Sequence, residues 1–372
     1  MWRFMAMIII ILFPGAIYFL LHFKKLSFID RLNKPTWLPW AIASVMTLIC
    51  AYMVHAVLEL PAAIVLFILY SFIISDILNL IIKKWVKQKK LQENWRKVNG
   101  SGTTVLVFTG LIICVSYLTA IHVVKTNYDI YSDKRFGNST MKISLISDIH
   151  LGTSVNLVQL KKYCDEIQAS NPDILVIDGD AFDENTPKGY MEAACKLLGE
   201  IKTTYGIYYV FGNHEKGIHG ILPYFTTEEV KSNLVSNNIS VLDDSTKLVN
   251  NMFYIVGRKD ASIDGNASRS TLNELLTGVD KNKFILLLDH QPLELESASG
   301  LGVDLQLSGH THGGQIWPTG PLISMFNKNG VEYGYKSIGN YQIIVTSGLG
   351  AWNYPLRLGS KAEIVTIQLH LK

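Results

Sequence analysis

The chain has few cysteines and few charged residues, and both shortages narrow what it can be. Only 4 of its 372 residues are cysteines. Cys50 and Cys114 lie inside apolar runs, while Cys164 and Cys195 show no CxxC spacing. We therefore expect neither a disulfide framework nor a cysteine zinc site. Internal repeats and low-complexity tracts are absent as well.

Acidic residues are scarce in the first third of the chain. Residues 1–124 hold 12 Lys/Arg and 4 Asp/Glu, a net charge of +8, whereas residues 125–372 hold 22 and 27, a net charge of −5. The basic isoelectric point of about 8.4 therefore belongs to the N-terminal third alone. Because the rest of the protein is acidic, we expect no nucleic-acid partner.

Long apolar runs dominate that same basic third. A helix needs about 20 apolar residues to cross a bilayer. Four stretches come close to that length, at residues 5–21, 37–57, 62–82 and 103–124. We therefore predict a four-span helical membrane region over residues 1–124, a polar linker over residues 125–140, and a separate domain over residues 141–372.

The loops between these stretches differ in basic charge. The first and third predicted loops are rich in lysine and arginine, whereas the second contains neither. Short basic loops stay in the cytoplasm. This rule predicts a multi-pass protein of the cell membrane, with both termini and the C-terminal domain on the extracytoplasmic side. The lipid bilayer is thus an expected partner, while the oligomeric state is left open.

From residue 142 onward, short β-rich runs such as residues 253–257 and 284–288 alternate with helical stretches such as the one near residues 227–236, which is typical of a layered α/β fold. Polar motifs follow five of the predicted strands at the point where each strand ends. They are DIH (148–150), DGDAFD (178–183), GNHE (212–215), DH (289–290) and GHTH (309–312). Taken singly, each has an ordinary reading as a cap or a turn. Ligands of α/β folds bind beyond the carboxyl ends of strands, so five such motifs together indicate one site.

The residue types in these motifs indicate the chemistry. Mixed imidazole and carboxylate ligands suit Mn, Fe or Zn better than Ca or Mg. Two metal ions about 3.5–4 Å apart, joined by one carboxylate, can clamp a phosphate and activate a water molecule. A nearby histidine can then protonate the leaving oxygen. We therefore predict two divalent metal ions, with Mn favoured and Fe or Zn as alternatives.

The order of the motifs resembles the calcineurin-like metallophosphoesterase superfamily. The stretch GHTHGGQIWP, a later SGLG and the apolar N-terminal third are most similar to its membrane-anchored bacterial branch of the YkuE/YaeI type. The resemblance covers about residues 141–369. It implies a layered β-sandwich with βαβ connections, in which helices flank two sheets.

The resemblance also implies roles for eight residues. Asp148, His150 and His312 would bind the first metal, Asn213, His290 and His310 would bind the second, and Asp180 would bridge the two. His214 would be the catalytic acid that contacts the phosphate, oriented by a neighbouring carboxylate. All eight positions match the pattern of the family, so the resemblance implies an active enzyme.

Several further residues near the motifs have two readings. Asp183 and Glu215 are candidates for carboxylates that orient histidines. Arg258 and Arg357 are candidates for phosphate ligands, with a solvated surface charge as the alternative. Trp317, Trp352 and Tyr354 lie in loops near the predicted site, where they would contact an acyl chain or the bilayer, or simply pack within their loops.

Together these features predict a membrane-anchored hydrolase of phosphodiester or pyrophosphate bonds. A phosphorylated small molecule or a lipid-linked compound is the expected substrate, because anchoring raises the encounter rate with lipid head groups. Two alternatives stay open: a metal-dependent protein or monoester phosphatase, and a receptor whose phosphoesterase-like domain only binds. The receptor alternative predicts lost metal ligands, and the sequence has lost none.

Overall fold

The structure is a computed structural model that describes residues 2–32, 35–55, 60–134, 140–217, 224–262, 269–326 and 331–371. Within the helices, the side chains of residues 2–13, 51, 53–55, 323 and 326 also lie outside the description. The chain divides into two compact units, which we call the N-terminal unit (Met1–Val115) and the C-terminal unit (Ser116–Lys372).

All the regular secondary structure described in the N-terminal unit is helical. Its helices are α1 (Trp2–Lys25), α2 (Ser27–Asp30), α3 (Leu38–His55), α4 (Leu60–Trp85), α5 (Lys89–Gly100) and α6 (Thr103–Ile121), whose last turn belongs to the C-terminal unit. Phe19 and Phe23 of α1 pack edge-on against Phe72 of α4.

Two of these helices, α4 and α6, are long and apolar enough to cross a membrane. The apolar part of α3, Leu38–Cys50, is shorter than a span. Helix α1 contains Pro14, and most of the predicted first span lies in its undescribed side chains. The described residues therefore contain two membrane-capable helices where the sequence predicts four spans.

The C-terminal unit contains twelve strands among its described residues. They are β1 (Val123–Ser132), β2 (Thr140–Ile146), β3 (Ile174–Asp178), β4 (Ile207–Val210), β5 (Ile239–Val241), β6 (Ser245–Val249), β7 (Phe253–Gly257), β8 (Phe284–Leu288), β9 (Leu305–Ser308), β10 (Gly334–Ile338), β11 (Tyr341–Val345) and β12 (Ala362–Leu371). The first six-stranded sheet has the order β1-β12-β2-β3-β4-β5, and the second has the order β10-β11-β9-β8-β7-β6.

Helices cover the outer faces of both sheets. They are α7 (Leu157–Ala169), α8 (Lys188–Gly199) and α9 (Thr227–Ser236) on the first sheet, and α10 (Leu272–Leu275) and α11 (Leu295–Leu301) on the second. Helix α12 (Thr319–Phe326) lies in the connection between β9 and β10. In β3, Ile174 and Val176 face the core between the sheets, whereas Leu175 and Ile177 face the helices. A strand buried on both faces reads as a continuous apolar run. The predicted α/β fold, with two sheets flanked by helices, is confirmed.

The predicted linker over residues 125–140 is wrong for most of its length. Strand β1 occupies residues 123–132 and pairs in parallel with β12 over its whole length. Its side chains alternate between exposed residues such as Lys125 and Asp129 and inward residues such as Tyr128 and Ile130. This edge strand uses Thr and Tyr on its inner face, so its period-2 pattern carries little hydrophobic contrast.

Candidate metal centre

The carboxyl ends of parallel strands from both sheets bring the predicted site residues together. Strands β2, β3 and β4 run parallel in the first sheet, and β7, β8 and β9 run parallel in the second. Asp148 follows β2, Asp180 follows β3 and Asn213 follows β4, while His290 follows β8 and His310 follows β9. Each sheet therefore supplies part of one polar cluster.

One group consists of Asp148, His150 and His312, all buried. One possible ligand atom from each lies within 4.8 Å of the others. The Nε2 atoms of His150 and His312 are only 3.2 Å apart, and His312 Nε2 is 3.4 Å from Asp148 Oδ1. These are the three residues that the sequence assigns to the first metal.

A second group consists of Asp180, His290 and His310, whose possible ligand atoms also lie within 4.8 Å of one another. His290 Nε2 is 3.0 Å from Asp180 Oδ2. Asn213 joins this group, because its Oδ1 lies 2.9 Å from His310 Nδ1. The residues that the sequence assigns to the second metal are thus adjacent.

Asp180 lies between the two groups. Its Oδ2 is 3.0 Å from His290 Nε2 and 4.0 Å from His150 Nε2, and its Oδ1 accepts the backbone N–H of His214 at 2.9 Å. A carboxylate in this position can reach toward both groups at once. That is what holding two cations against their mutual repulsion requires.

The donor atoms of the cluster fit a pair of divalent cations. His290 Nδ1 lies 2.6 Å from the carbonyl oxygen of Asp178 and can only donate to it, so in the neutral imidazole the lone pair is on Nε2. That Nε2 is buried and has no hydrogen-bond partner among the described residues. Likewise His150 Nδ1 faces Asp183 Oδ2 at 3.1 Å, which turns its Nε2 toward His312. Such outer partners are what metal-binding histidines have.

Five of the proposed ligands have a left-handed backbone. The φ angles are 50° at Asp148, 42° at His150, 51° at Asp180, 68° at His310 and 52° at His312. Such conformations are uncommon outside glycine, although Asp and His adopt them more readily than most residues. Strained backbone of this kind clusters at functional sites, because the surrounding loops hold it in place.

Burial and neighbouring charges shift the pKa values of the proposed ligands. Burial opposes the ionisation of Asp180, but the neighbouring His290 and His214 outweigh it and hold the pKa of Asp180 well below its usual range. Burial and the adjacent His150 hold the pKa of His312 well below its usual range. The bridging carboxylate is therefore ionised and the His312 imidazole neutral, which are the forms that bind metal.

The comparisons with known proteins agree with this geometry. Residues 141–314 match the family model of the calcineurin-like phosphoesterases. An uncharacterized metallophosphoesterase, YkuE of Bacillus subtilis, is 30% identical over 63% of this chain and 80% of its own length. The chain belongs to the calcineurin-like metallophosphoesterase family.

Other relatives are longer than the match. An uncharacterized metallophosphoesterase of Helicobacter pylori is 32% identical over 64% of this chain and 62% of its own length. A bovine relative described as a transmembrane protein with metallophosphoesterase domain is 29% identical over 62% of this chain and 53% of its own length. The chain thus spans about three-fifths of the first of these relatives and about half of the second.

In this metallophosphoesterase, His214 lies beside the two groups, and one of its ring nitrogens also lies within 4.8 Å of possible ligand atoms of His150 and Asp180. Its Nδ1 lies 2.9 Å from Glu184 Oε2, and its ring lies 4.9 Å from the His150 ring, nearly perpendicular to it. Burial opposes the charge on His214, but Asp180 and Glu184 outweigh burial and raise the pKa of His214 to about 9. The sequence predicts an orienting carboxylate without naming it, and Glu184 takes that place.

The two predicted orienting carboxylates have different surroundings. Asp183 contacts His150, as predicted. Glu215 contacts no histidine in the described chain, and the prediction is wrong in that respect. It accepts the Tyr209 hydroxyl at 2.6 Å and the backbone N–H of Gly212 at 2.9 Å, and so it fixes the loop backbone around Asp180.

The two predicted phosphate-binding arginines are buried, which corrects both readings made from the sequence. Arg258 is 2% exposed, and its Nη1 contacts Asp289 at 3.2 Å and Glu294 at 3.1 Å. Arg357 is fully buried, and its guanidinium lies against backbone carbonyls and 3.4 Å from His312 Nδ1. These contacts engage the terminal nitrogens of both guanidinium groups.

One glycine of the GHTH motif has a steric explanation. A Cβ at Gly309 would collide with Ser147 Oγ and Asp148 Oδ2. The backbone N–H of His310 meanwhile approaches both carboxylate oxygens of Asp148, at 3.1 and 3.0 Å. The strand end after β9 therefore approaches the loop after β2 closely enough for only a glycine to fit.

Proposed function

We propose that this protein is a membrane-tethered two-metal phosphoesterase that hydrolyses phosphodiester or pyrophosphate bonds of a lipid-linked substrate. The observation that carries the proposal is that Asp180 of the second ligand group also faces the first group, with its Oδ2 3.0 Å from His290 Nε2 and 4.0 Å from His150 Nε2. Imidazole, carboxylate and amide groups converge at these strand ends, and imidazole mixed with carboxylate is a donor set that suits transition-metal ions. The proposed ligands are Asp148, His150, Asp180, Asn213, His290, His310 and His312.

The residues of the cluster divide the chemistry between them. Two divalent ions bound there would polarise the phosphate oxygens and activate a water molecule for in-line attack. Glu184 occupies His214 Nδ1, which leaves Nε2 to carry the proton. His214 then donates that proton to the leaving oxygen as the ester bond breaks.

The membrane topology is part of the proposal. The membrane-capable helices α4 and α6 support a tether, and the basic loop between them supports a C-terminal unit outside the cytoplasm. A reporter enzyme that is active only in the cytoplasm, fused after Lys372, should then stay silent. A strong reporter signal would contradict the outside orientation.

The activity is tested with the full-length protein purified in detergent and reconstituted with Mn, Fe or Zn. We expect turnover of an aryl phosphodiester and of a lipid pyrophosphate, Mn supporting the highest rate, and loss of turnover in Asp180→Asn. Faster cleavage of a phosphopeptide or a monoester would favour the phosphatase alternative. Stoichiometric metal binding without turnover of any ester would favour a protein that only binds.

A further inference from the structure

The last turn of α6 is built into the C-terminal unit. From Ser116 onward α6 belongs to this unit, and Ser116 and Ala120 are buried, with 0% and 1% exposure. The carbonyl oxygen of Ser116 accepts the backbone N–H of Arg357 at 2.9 Å. Only His122 separates the end of α6 from β1. The segment around Arg357 is thus hydrogen-bonded to a membrane-capable helix.

The length of α6 indicates the depth at which the hydrogen bond between Ser116 and Arg357 lies relative to a bilayer. At about 1.5 Å per residue, its 19 residues extend about 28 Å, close to the ~30 Å hydrocarbon thickness of a bilayer. A helix of this length ends at the membrane interface. Ser116 lies five residues before that end, so the bond to Arg357 falls within about 8 Å of it.

The same segment is connected to the metal centre. Arg357 Nη2 lies 3.4 Å from His312 Nδ1. The buried Arg357 therefore connects the end of α6, near the membrane interface, to a proposed metal ligand. The next residue, Leu358, accepts the backbone N–H of Trp317 through its carbonyl oxygen. Trp317 lies two residues before the start of α12, in the loop that follows His312.

A surface without charged side chains begins beside Trp317. Residues 316–326 contain no charged side chain. Trp317 is 53% exposed and Met325 is 74% exposed. In the last turn of α6, Tyr117 and Leu118 are 46% and 54% exposed. Tryptophan and tyrosine are enriched at membrane interfaces, where the ring is part apolar and part polar.

We propose that Trp317 and α12, which we call the apolar rim, dock on the surface of the bilayer that α6 crosses. This inference rests on the membrane tether of the proposed function. A lipid surface is the occupant because the rim adjoins, through Arg357 and Leu358, the helix that enters the bilayer. Docking holds the metal centre at head-group level, where the phosphate of a lipid lies.

The test measures depth in the membrane with the full-length protein in lipid nanodiscs. A spin label is attached at Met325→Cys in a Cys114→Ser background, because the other three cysteines are buried. The matched control is Leu248→Cys, an apolar residue on β6 that is 41% exposed. We expect the ratio of oxygen accessibility to nickel-chelate accessibility to be several-fold higher at position 325 than at position 248. Equal ratios would overturn the proposal.

A second readout does not depend on the labelled cysteine. Brominated lipids should quench a fraction of the tryptophan fluorescence, and Trp317→Phe should reduce that fraction. An unchanged quenched fraction would contradict docking. Dipolar coupling between labels at position 325 of two copies would identify a second chain as the occupant and overturn the lipid assignment.

Neither readout requires turnover, so the two proposals fail separately. Turnover of a water-soluble aryl phosphodiester together with a water-exposed label at position 325 would refute the docking alone. A label at lipid depth without turnover of any phosphate ester would refute the proposed reaction and leave the docking in place.

Discussion

The two units of this protein treat their polar side chains in opposite ways. In the N-terminal unit, Asp76 of α4 accepts the Tyr18 hydroxyl at 2.7 Å and faces His22 Nε2 of α1 at 2.9 Å. In the C-terminal unit, His290 Nε2 is buried without a hydrogen-bond partner among the described residues, and it lies within 4.8 Å of possible ligand atoms of Asp180 and His310. The polar groups around Asp76 bond to one another, whereas the cluster around His290 has a nitrogen that can still bind a ligand.

The difference follows from what each cluster has around it. Polar groups in an apolar helix bundle satisfy one another, since lipid offers them nothing. Ser71 and Thr109 do so at 2.9 Å between α4 and α6. An unsatisfied buried polar group costs about 1–3 kcal/mol, so the open cluster of the C-terminal unit is costly unless cations fill it. The following predictions test this contrast.

The largest effect is expected for Asp180→Asn, because the neutral amide no longer offsets the repulsion between two cations. Metal charge stabilisation is worth several kcal/mol, which corresponds to a loss on the order of 10³-fold in turnover. Turnover of an aryl phosphodiester and metal content per chain are measured together. The control is Asp165→Asn, an exposed carboxylate that pairs with Lys161. Full metal content and unchanged turnover in Asp180→Asn would refute a bridging role.

His214→Ala should lower turnover by roughly 10²–10⁴-fold on an alkyl diester. The loss should be smaller on a nitrophenyl ester, whose leaving group needs no proton. The rates on both esters are compared with those of His370→Ala, a histidine on β12 that pairs with Asp129 instead. Equal losses on the two esters would show that His214 does not act as the acid.

A smaller effect is expected for Glu363 in the C-terminal unit, a carboxylate that accepts its hydrogen bonds from other protein groups. Glu363 is buried, with 1% exposure. It accepts hydrogen bonds from Thr126, from Thr346 Oγ1 at 3.0 Å and from the Ser347 N–H at 3.1 Å. Burial opposes its charge, but the bonds from Thr126 and Ser347 outweigh burial and lower its pKa.

Since the folded state lowers this pKa, the ionised Glu363 stabilises the fold above its unfolded pKa of about 4.3, and this stability is lost as the pH falls through the folded pKa. Glu363→Gln should therefore destabilise the fold by about 1–3 kcal/mol at pH 7, and the difference from wild type should shrink below pH ~4. Thermal unfolding at both pH values measures this. A difference that grows toward acid pH would contradict the assignment.

The smallest effect is expected in the membrane-capable helices. Asp76→Ala leaves Tyr18 and His22 without their acceptor, and hydrogen bonds between membrane helices contribute about 0.6–2 kcal/mol. Melting of the protein in lipid should fall slightly, and turnover of a soluble ester should stay at the wild-type rate. The control is Asp30→Asn, whose carboxylate is 64% exposed. Loss of turnover in Asp76→Ala alone would show that the helices do more than anchor.

Local patterns predicted the elements that they control. Helix α9 begins and ends where its spacing predicts, because Thr226 and Glu229 form a capping box at its start. The predicted strands at residues 253–257 and 284–288 match β7 and β8. The edge strand β1 was missed, since its partner β12 lies more than 200 residues away.

The candidate site likewise contains residues whose roles the sequence predicts and residues whose roles it does not. His and Asp at strand ends could be predicted, since parallel strands bring their carboxyl ends to one edge. The carboxylate that contacts His214 could not be identified, because Glu184 is one of several acids near the motif. From the sequence, Arg357 is a candidate phosphate ligand or a surface charge, and only the loops that surround it bury the side chain.

The sequence by itself therefore determined the family, the α/β layering and the set of residues at the cluster, because motif spacing and apolar periodicity are local. Tertiary structure alone decided which acid serves which histidine and which arginines are buried. It also decided that the segment after Tyr354 joins the end of α6 to His312. Those outcomes depend on atoms brought together from distant parts of the chain, and no local pattern records which of them will meet.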